Sequence, residues 1–200
     1  MRRVTDVLDS YTEPELWEWK LRVGKAKAKK ISDEALEIGT KVDEMITLDI
    51  GGSRNILEGL RPEVVNAYQA WLAFKLKYPD FIKDIETTQA RYEVGDITGK
   101  PDIIKLSEIN DIKTSNQLSV RPKWVVQASK YAVDNNKTKA SILLLSKKEP
   151  RFLYIWWDGI LLEYFGRTVF DAFNTVMTYN LEVSEMIRSY MESEALGATS

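Results

Sequence analysis

The chain contains no cysteine and no histidine. The first absence excludes disulfides, thiolate zinc sites and cysteine-ligated iron–sulfur clusters; the second excludes histidine general bases and serine–histidine triads. Oxygen-rich metal chemistry and lysine–carboxylate chemistry remain, and oxygen ligands suit magnesium or manganese. No run of about 18 apolar residues could span a bilayer, so no membrane is expected as a partner. "MRRVTDVLDSYTEPELW" carries two arginines with no apolar segment behind them, so no secretory signal is expected and the compartment reads as cytoplasmic, that of a host cell if the source is viral. A strong charge of one sign is also lacking: 28 basic against 30 acidic residues leave a net charge of −2. No global positive field advertises nucleic acid, and local patches must carry that case.

Two hundred residues, 44% hydrophobic and 29% charged, are enough for one sizeable core. The expected layout is a single domain over 1–200: a mainly helical part to residue 80, a core over 81–146, then a hairpin and a helix over 147–200. "YTEPELWEWKLRVGKAKAKK" opens with a capping box of Thr12 and Glu15 around Pro14, which predicts a helix to about Lys30. Lys25, Lys27, Lys29 and Lys30 at its end are either a solvated terminus or a phosphate-contacting patch. Ser32 as cap begins a second helix, with Ala35, Ile38, Val42, Met45 and Ile46 in one apolar stripe. Gly39 and Asp43 flank that stripe four residues apart, and a glycine inside a helix signals close approach by a backbone or a ligand. Pro62 starts a third helix that ends before Pro79.

The periodicity then changes. "DIETTQARYEVGDITGKPDIIKLSEINDIKTS" is rich in β-branched residues and reads as three strands. "RPKWVVQASKYAVDNN" returns to helical spacing, "ASILLLS" is a buried strand, and "RFLYIWW" with "ILLEYF" reads as a hairpin about Asp158 and Gly159. A helix from about Thr168 to Glu194 closes the chain. The fold class is α/β: a mixed central β-sheet flanked by helices.

Residues two apart on a strand share a face, so Asp111 and Lys113 project together while Ile112 enters the apolar side. A turn at Ser107 and Glu108 would bring Asp102 alongside Asp111. Converging carboxylates raise each other's pKa unless a proton or a cation intervenes, and a divalent metal meets that need. Lys113 would orient a metal-bound water or stabilise charge on a phosphorane-like transition state. A solvated sheet face is the other use of such a triplet. The tryptophans Trp17, Trp19, Trp71, Trp156 and Trp157 are expected mostly in the core.

"GTKVDEMI", "GKPDII", "DIKTS" and "QASKY", in this order over residues 39 to 131, resemble the motifs of the PD-(D/E)xK nuclease superfamily, in its RecB-like, phage-type exonuclease branch. The N-terminal helices are similar to those of phage exonucleases and of the mitochondrial genome maintenance exonuclease family. The resemblance implies a restriction-endonuclease-like αβββαβ core and a deoxyribonuclease dependent on Mg2+ or Mn2+; several RecB-like nucleases also carry an iron–sulfur cluster, which a chain without cysteine cannot hold. Its expected activity is exonucleolytic, on DNA with single-stranded ends; the alternatives are a structure- or flap-directed endonuclease, or a non-cleaving nucleic-acid-binding protein on a degenerate nuclease fold. It implies Asp102, Asp111 and Lys113 as catalytic residues, and Asp102, Asp111 and the Ile112 carbonyl as metal ligands. Asp43 stands where the branch commonly has a histidine ligand, and carboxylate oxygen can serve there. Lys100, Gln127 and Tyr131 would support the site or bind DNA, with an ordinary amphipathic helix as the other use of the last two. Glu86 matches a glutamate often found on the first strand; solvent exposure at a strand edge is its alternative.

Overall fold

The computed structural model describes residues 1–10 and 14–197, and of Pro14, Glu15 and 187–197 the backbone alone. The capping box of Thr12 and Glu15 lies outside the described side chains. A short strand β1 (Arg2–Arg3) and helix α1 (Val4–Asp9) precede α2 (Pro14–Val23), α3 (Lys25–Ile50) and α4 (Pro62–Lys77). A 3-10 turn at Pro79–Ile82 leads to β2 (Ile85–Thr88), β3 (Tyr92–Val94), β4 (Ile97–Gly99), β5 (Ile103–Lys105) and β6 (Glu108–Ser115). Then come α5 (Pro122–Asp134), β7 (Lys139–Ser146), β8 (Phe152–Asp158) and α6 (Gly159–Glu163), followed by a π-helical turn at Tyr164–Val169 and α7 (Phe170–Gly197).

The principal sheet is mixed and five-stranded, in the order β2-β5-β6-β7-β8, with β6 and β7 parallel and the other pairs antiparallel. Residue parity along its strands sorts the core into two layers. Ile103, Ile112, Leu143 and Leu145 pack against Ile38, Val42, Met45 and Ile46 of α3 and against Val64, Trp71 and Phe74 of α4. On the opposite face, Ile104, Ile109, Ala140 and Ile142 pack against Val126 and Tyr131 of α5, Leu162 of α6, Phe170 of α7 and the α1 residues Val4, Val7 and Leu8. The α/β class with helices on both faces of a mixed sheet is therefore as expected, and so is α4, bounded by Pro62 and Pro79.

Four boundaries differ from the sequence reading. The break between the first two helices falls at Gly24, not near Lys30. Ser32 lies inside α3 and its hydroxyl donates to the Ala28 carbonyl, four residues back, so it serves the helix interior instead of capping a new one. The stretch read as three strands holds five, because β3 and β4 leave the main sheet and form a second, three-stranded sheet in which β4 lies between β1 and β3. The expected hairpin after β8 is helical. Gly159 at φ 54 takes the left-handed conformation that ends the strand, and Leu162, Gly166 and Phe170 then recur at helical spacing on the buried side.

Two further readings are corrected. Glu108 opens β6 and is buried, so it is no turn residue. Of the tryptophans expected mostly in the core, Trp71 and Trp157 are buried, while Trp17 and Trp156 are more than half exposed.

Candidate active site

The β5–β6 ladder pairs Ile104 with Ile109 and Ile103 with Asn110. One step further along, the same register sets Asp102 opposite Asp111. There the backbone ladder gives way to side-chain bonding: the Ile112 N–H donates to Asp102 Oδ2 at 2.7 Å. In an extended strand a residue's carbonyl points to the same side as its N–H, so the Ile112 carbonyl also faces Asp102. Asp102 Oδ1 accepts from Gln89 Nε2 at 2.8 Å.

Asp111 is only 1% exposed. Lys113 Nζ lies 2.8 Å from its Oδ2, yet that oxygen has no hydrogen-bond partner of acceptable geometry. The contact is an ion pair without an aligned donor. Burial pushes the Asp111 carboxyl up to about 6; Lys113 opposes that rise and Asp102 adds to it. For Lys113 burial works downward, but Asp111 and Asp102 outweigh it and hold the ammonium above its ordinary range.

Asp43 reaches this region from α3. It lines an open cleft of about 610 Å³ together with Thr40, Glu44, Gln89 and Lys100. Burial, then the Asp102 charge, push its carboxyl up to about 8, with Asp111 adding and Lys113 and Lys100 opposing. Lys100 is exposed on the cleft wall, within electrostatic reach of Asp43. Gly39, one turn before Asp43, faces the Thr114 hydroxyl, and a Cβ there would sit 3.6 Å away, an ordinary contact. The close approach expected at Gly39 is thus made by a side chain and leaves room for a methyl group.

Behind Asp111, α5 contributes Gln127 and Tyr131, both buried, with Gln127 Nε2 donating to the Tyr131 hydroxyl at 2.9 Å. Burial and Asp111 push the tyrosine up to about 12, partly relieved by the Gln127 bond. Gly99, the glycine of "GKPDII", explains how α5 comes so close. A Cβ at Gly99 would lie 2.5 Å from Tyr92 Cε1 and 2.7 Å from Tyr131 Cε1, so only glycine lets both rings pack on β4.

Glu86 is not brought to this cleft. It sits at the irregularity between Ile85 and Thr87 on β2, is exposed, and accepts from Lys137 Nζ at 2.6 Å. The same lysine donates to the Leu106 carbonyl, at the end of β5 away from Asp102. The bulge turns Glu86 to that far end. Gln89, conversely, was not singled out by the sequence. Its place depends on a backbone turn between the two sheets, and no residue pattern announces it.

Among the described residues, no three acidic side chains stand close enough to chelate one ion as arranged. Asp102 and Asp111 do form an adjacent pair, and magnesium needs only one or two carboxylates because it keeps several waters. A buried carboxylate oxygen whose one neighbouring ammonium is not aligned with it, beside a second acid that raises its pKa, is what a divalent cation would relieve. The donor set therefore fits Mg2+ or Mn2+.

No family model and no curated protein matches the chain. Among the solved structures that resemble it in layout are three of exonucleases. One is an alkaline exonuclease, LHK-Exo, from Laribacter hongkongensis, with a TM-score of 0.48 at 11% identity over 94% of this chain and 93% of that one. A second is LHK-Exo in complex with dAMP, with a TM-score of 0.47 at 10% identity over 95% and 94%. The third is a phage-related exonuclease from Haemophilus somnus 129PT, with a TM-score of 0.40 at 17% identity over 74% and 82%.

Proposed function

We propose that this protein is a divalent-metal-dependent deoxyribonuclease of the PD-(D/E)xK type, acting as an exonuclease on DNA with single-stranded ends. The observation that carries this reading is the pairing of Asp102 with a buried Asp111 whose Oδ2 lacks an aligned donor, with Lys113 2.8 Å from that oxygen. Asp102, Asp111 and the Ile112 carbonyl would hold Mg2+ or Mn2+, which when bound supplies Lewis acidity and a more acidic water. The protein's own groups do the rest. Lys113 stays an ammonium, and its donors stabilise negative charge building on the phosphate oxygens. Lys100, exposed on the cleft wall, meets the backbone phosphates of the strand. Asp43 faces the same cleft and joins the ion's surroundings, and Gln127 and Tyr131 fix the packing behind Asp111.

Nucleotide release from labelled single- and double-stranded DNA, with Mg2+, Mn2+ or EDTA, tests this. Asp111→Ala and Lys113→Ala are expected to lower turnover on the order of 10³-fold, as removal of a charge-stabilising group does. Parent-level cleavage by either variant sinks the assignment. A circular single-stranded substrate should stay intact; its cleavage would assign an endonuclease on the same site.

A further inference from the structure

We infer that Gln89 is the positioning residue of this site, holding Asp102 in the orientation that receives the divalent ion. The inference rests on the nuclease reading of the cleft and adds to it a residue outside every motif in the sequence. Gln89 follows β2 directly and has φ 55; among the described residues the only other non-glycine at positive φ is Asn136. Asparagine enters the left-handed region readily, through local bonding of its short side chain, and glutamine has no such advantage. A conformation of this kind persists only where the surroundings fix it, and such positions cluster at functional sites.

What fixes it here is Asp102. The Gln89 N–H donates to the Asp102 carbonyl at 3.0 Å, and Gln89 Nε2 donates to Asp102 Oδ1 at 2.8 Å. One residue thus grips both the backbone and the side chain of the proposed ligand. The Ile112 N–H takes the other oxygen, Oδ2, so the carboxylate plane is set from two sides. Each oxygen keeps a second lone pair for an ion. A carboxamide suits this role: it holds a carboxylate without neutralising it, as an ammonium would, and without repelling it, as another acid would. Gln89 also lines the cleft with Asp43 and Lys100, so its side chain is at the wall where substrate enters.

Two variants separate the side chain from the backbone. Gln89→Gly keeps the left-handed backbone and deletes the amide, whereas Gln89→Ala deletes the amide and leaves a strained backbone. The measurements are Mn2+ affinity by titration of the free-ion paramagnetic resonance signal, melting temperature in EDTA, and kcat and KM on labelled DNA. Both variants should bind Mn2+ 10- to 100-fold more weakly, the range for loss of a group that orients a metal ligand. kcat should fall with that affinity while KM for DNA holds. Melting should separate them, with Gln89→Gly at or above the parent and Gln89→Ala below it. A purely structural role predicts the reverse pattern: Gln89→Gly with parent affinity and parent kcat overturns the inference and leaves the nuclease reading intact. A parent protein that neither binds Mn2+ nor cuts DNA overturns that reading, and the role of Gln89 with it.

Discussion

Strand β6 carries two buried acids three residues apart, and the fold treats them in opposite ways. Glu108 Oε1 accepts from the hydroxyls of Ser141 and Tyr154, the latter at 2.8 Å. Its Oε2 lies 3.3 Å from Lys139 Nζ and 3.8 Å from Lys105 Nζ. Both oxygens are engaged, and Asn110 extends the network by donating to Ser141 Oγ at 2.8 Å. Asp111 has one lysine, an oxygen without an aligned donor, and a second acid facing it. A fully partnered buried charge ties strands β6, β7 and β8 together. A poorly partnered one, on the same strand and next to a cleft, is a place prepared for something else.

The largest expected effect comes from deleting each acid in turn. Glu108→Ala takes the acceptor from the Ser141 and Tyr154 hydroxyls and the partner from Lys139, while Lys105 keeps Asp84 at 3.1 Å. Breaking a buried pair in this way destabilises by about 3–5 kcal/mol. Thermal unfolding should show a drop of that size, with Mn2+ affinity at the Asp111 site unchanged in the protein that remains folded. Asp111→Asn should do the converse: within about 1 kcal/mol of the parent in EDTA, since it removes a charge that burial already disfavours, but with Mn2+ binding lost. Equal losses of stability from the two substitutions would break the contrast.

A smaller effect tests what stands behind Asp111. Gly99→Ala would push a methyl group against Tyr92 and Tyr131, whose rings meet edge to face at 5.9 Å. Tyr92 is also tied to Asp134 through a 2.9 Å bond from its hydroxyl. Overpacking of this kind destabilises by about 1–3 kcal/mol. The melting temperature should fall, and near-ultraviolet circular dichroism should report the displaced rings. Unchanged values for both would mean that the tyrosines can swing aside, and that Gly99 is not what seats α5.

The contrast between the two acids also marks how far the sequence could be read. Asp111 and Lys113 were legible because strand parity is local: two residues apart means one face, whatever the rest of the chain does. Asp102 followed because a short turn fixes antiparallel register. Glu108 was misread since a charged residue after serine at a strand boundary looks like a turn, and most of the partners that make its burial tolerable stand on β7 and β8, more than 30 residues away. "ILLEYF" was misread because its helical stripe runs through Gly166, which carries no apolar signal. That glycine is there for space: a Cβ would meet the Ser129 carbonyl oxygen of α5 at 2.7 Å. Gln89 was invisible for the same reason as Glu108, since its role is set entirely by contacts distant in sequence.

The last effect concerns Asp43, and its sign follows from linkage. Its carboxyl titrates near 3.8 when exposed and is pushed up to about 8 in the folded chain, first by burial and then by Asp102. Between those values the folded state holds a proton that the unfolded state has released. The stabilisation is therefore complete below about pH 4 and is lost as pH rises towards 8. Metal-free parent protein should melt at progressively lower temperature across that window, and Asp43→Asn, which cannot ionise, should flatten the curve. At pH 8 the variant should be the more stable, because it no longer carries an acid that its surroundings oppose. Adding Mn2+ should reverse the order. An ion that binds only the folded state stabilises by about 2.7 kcal/mol at 100 times its dissociation constant, and the parent, with the extra carboxylate, should gain more of this than the variant. If Asp43→Asn gains as much from Mn2+ as the parent, Asp43 stands beside the ion's surroundings and not within them. The frustrated end of β6 then reduces to the Asp102–Asp111 pair.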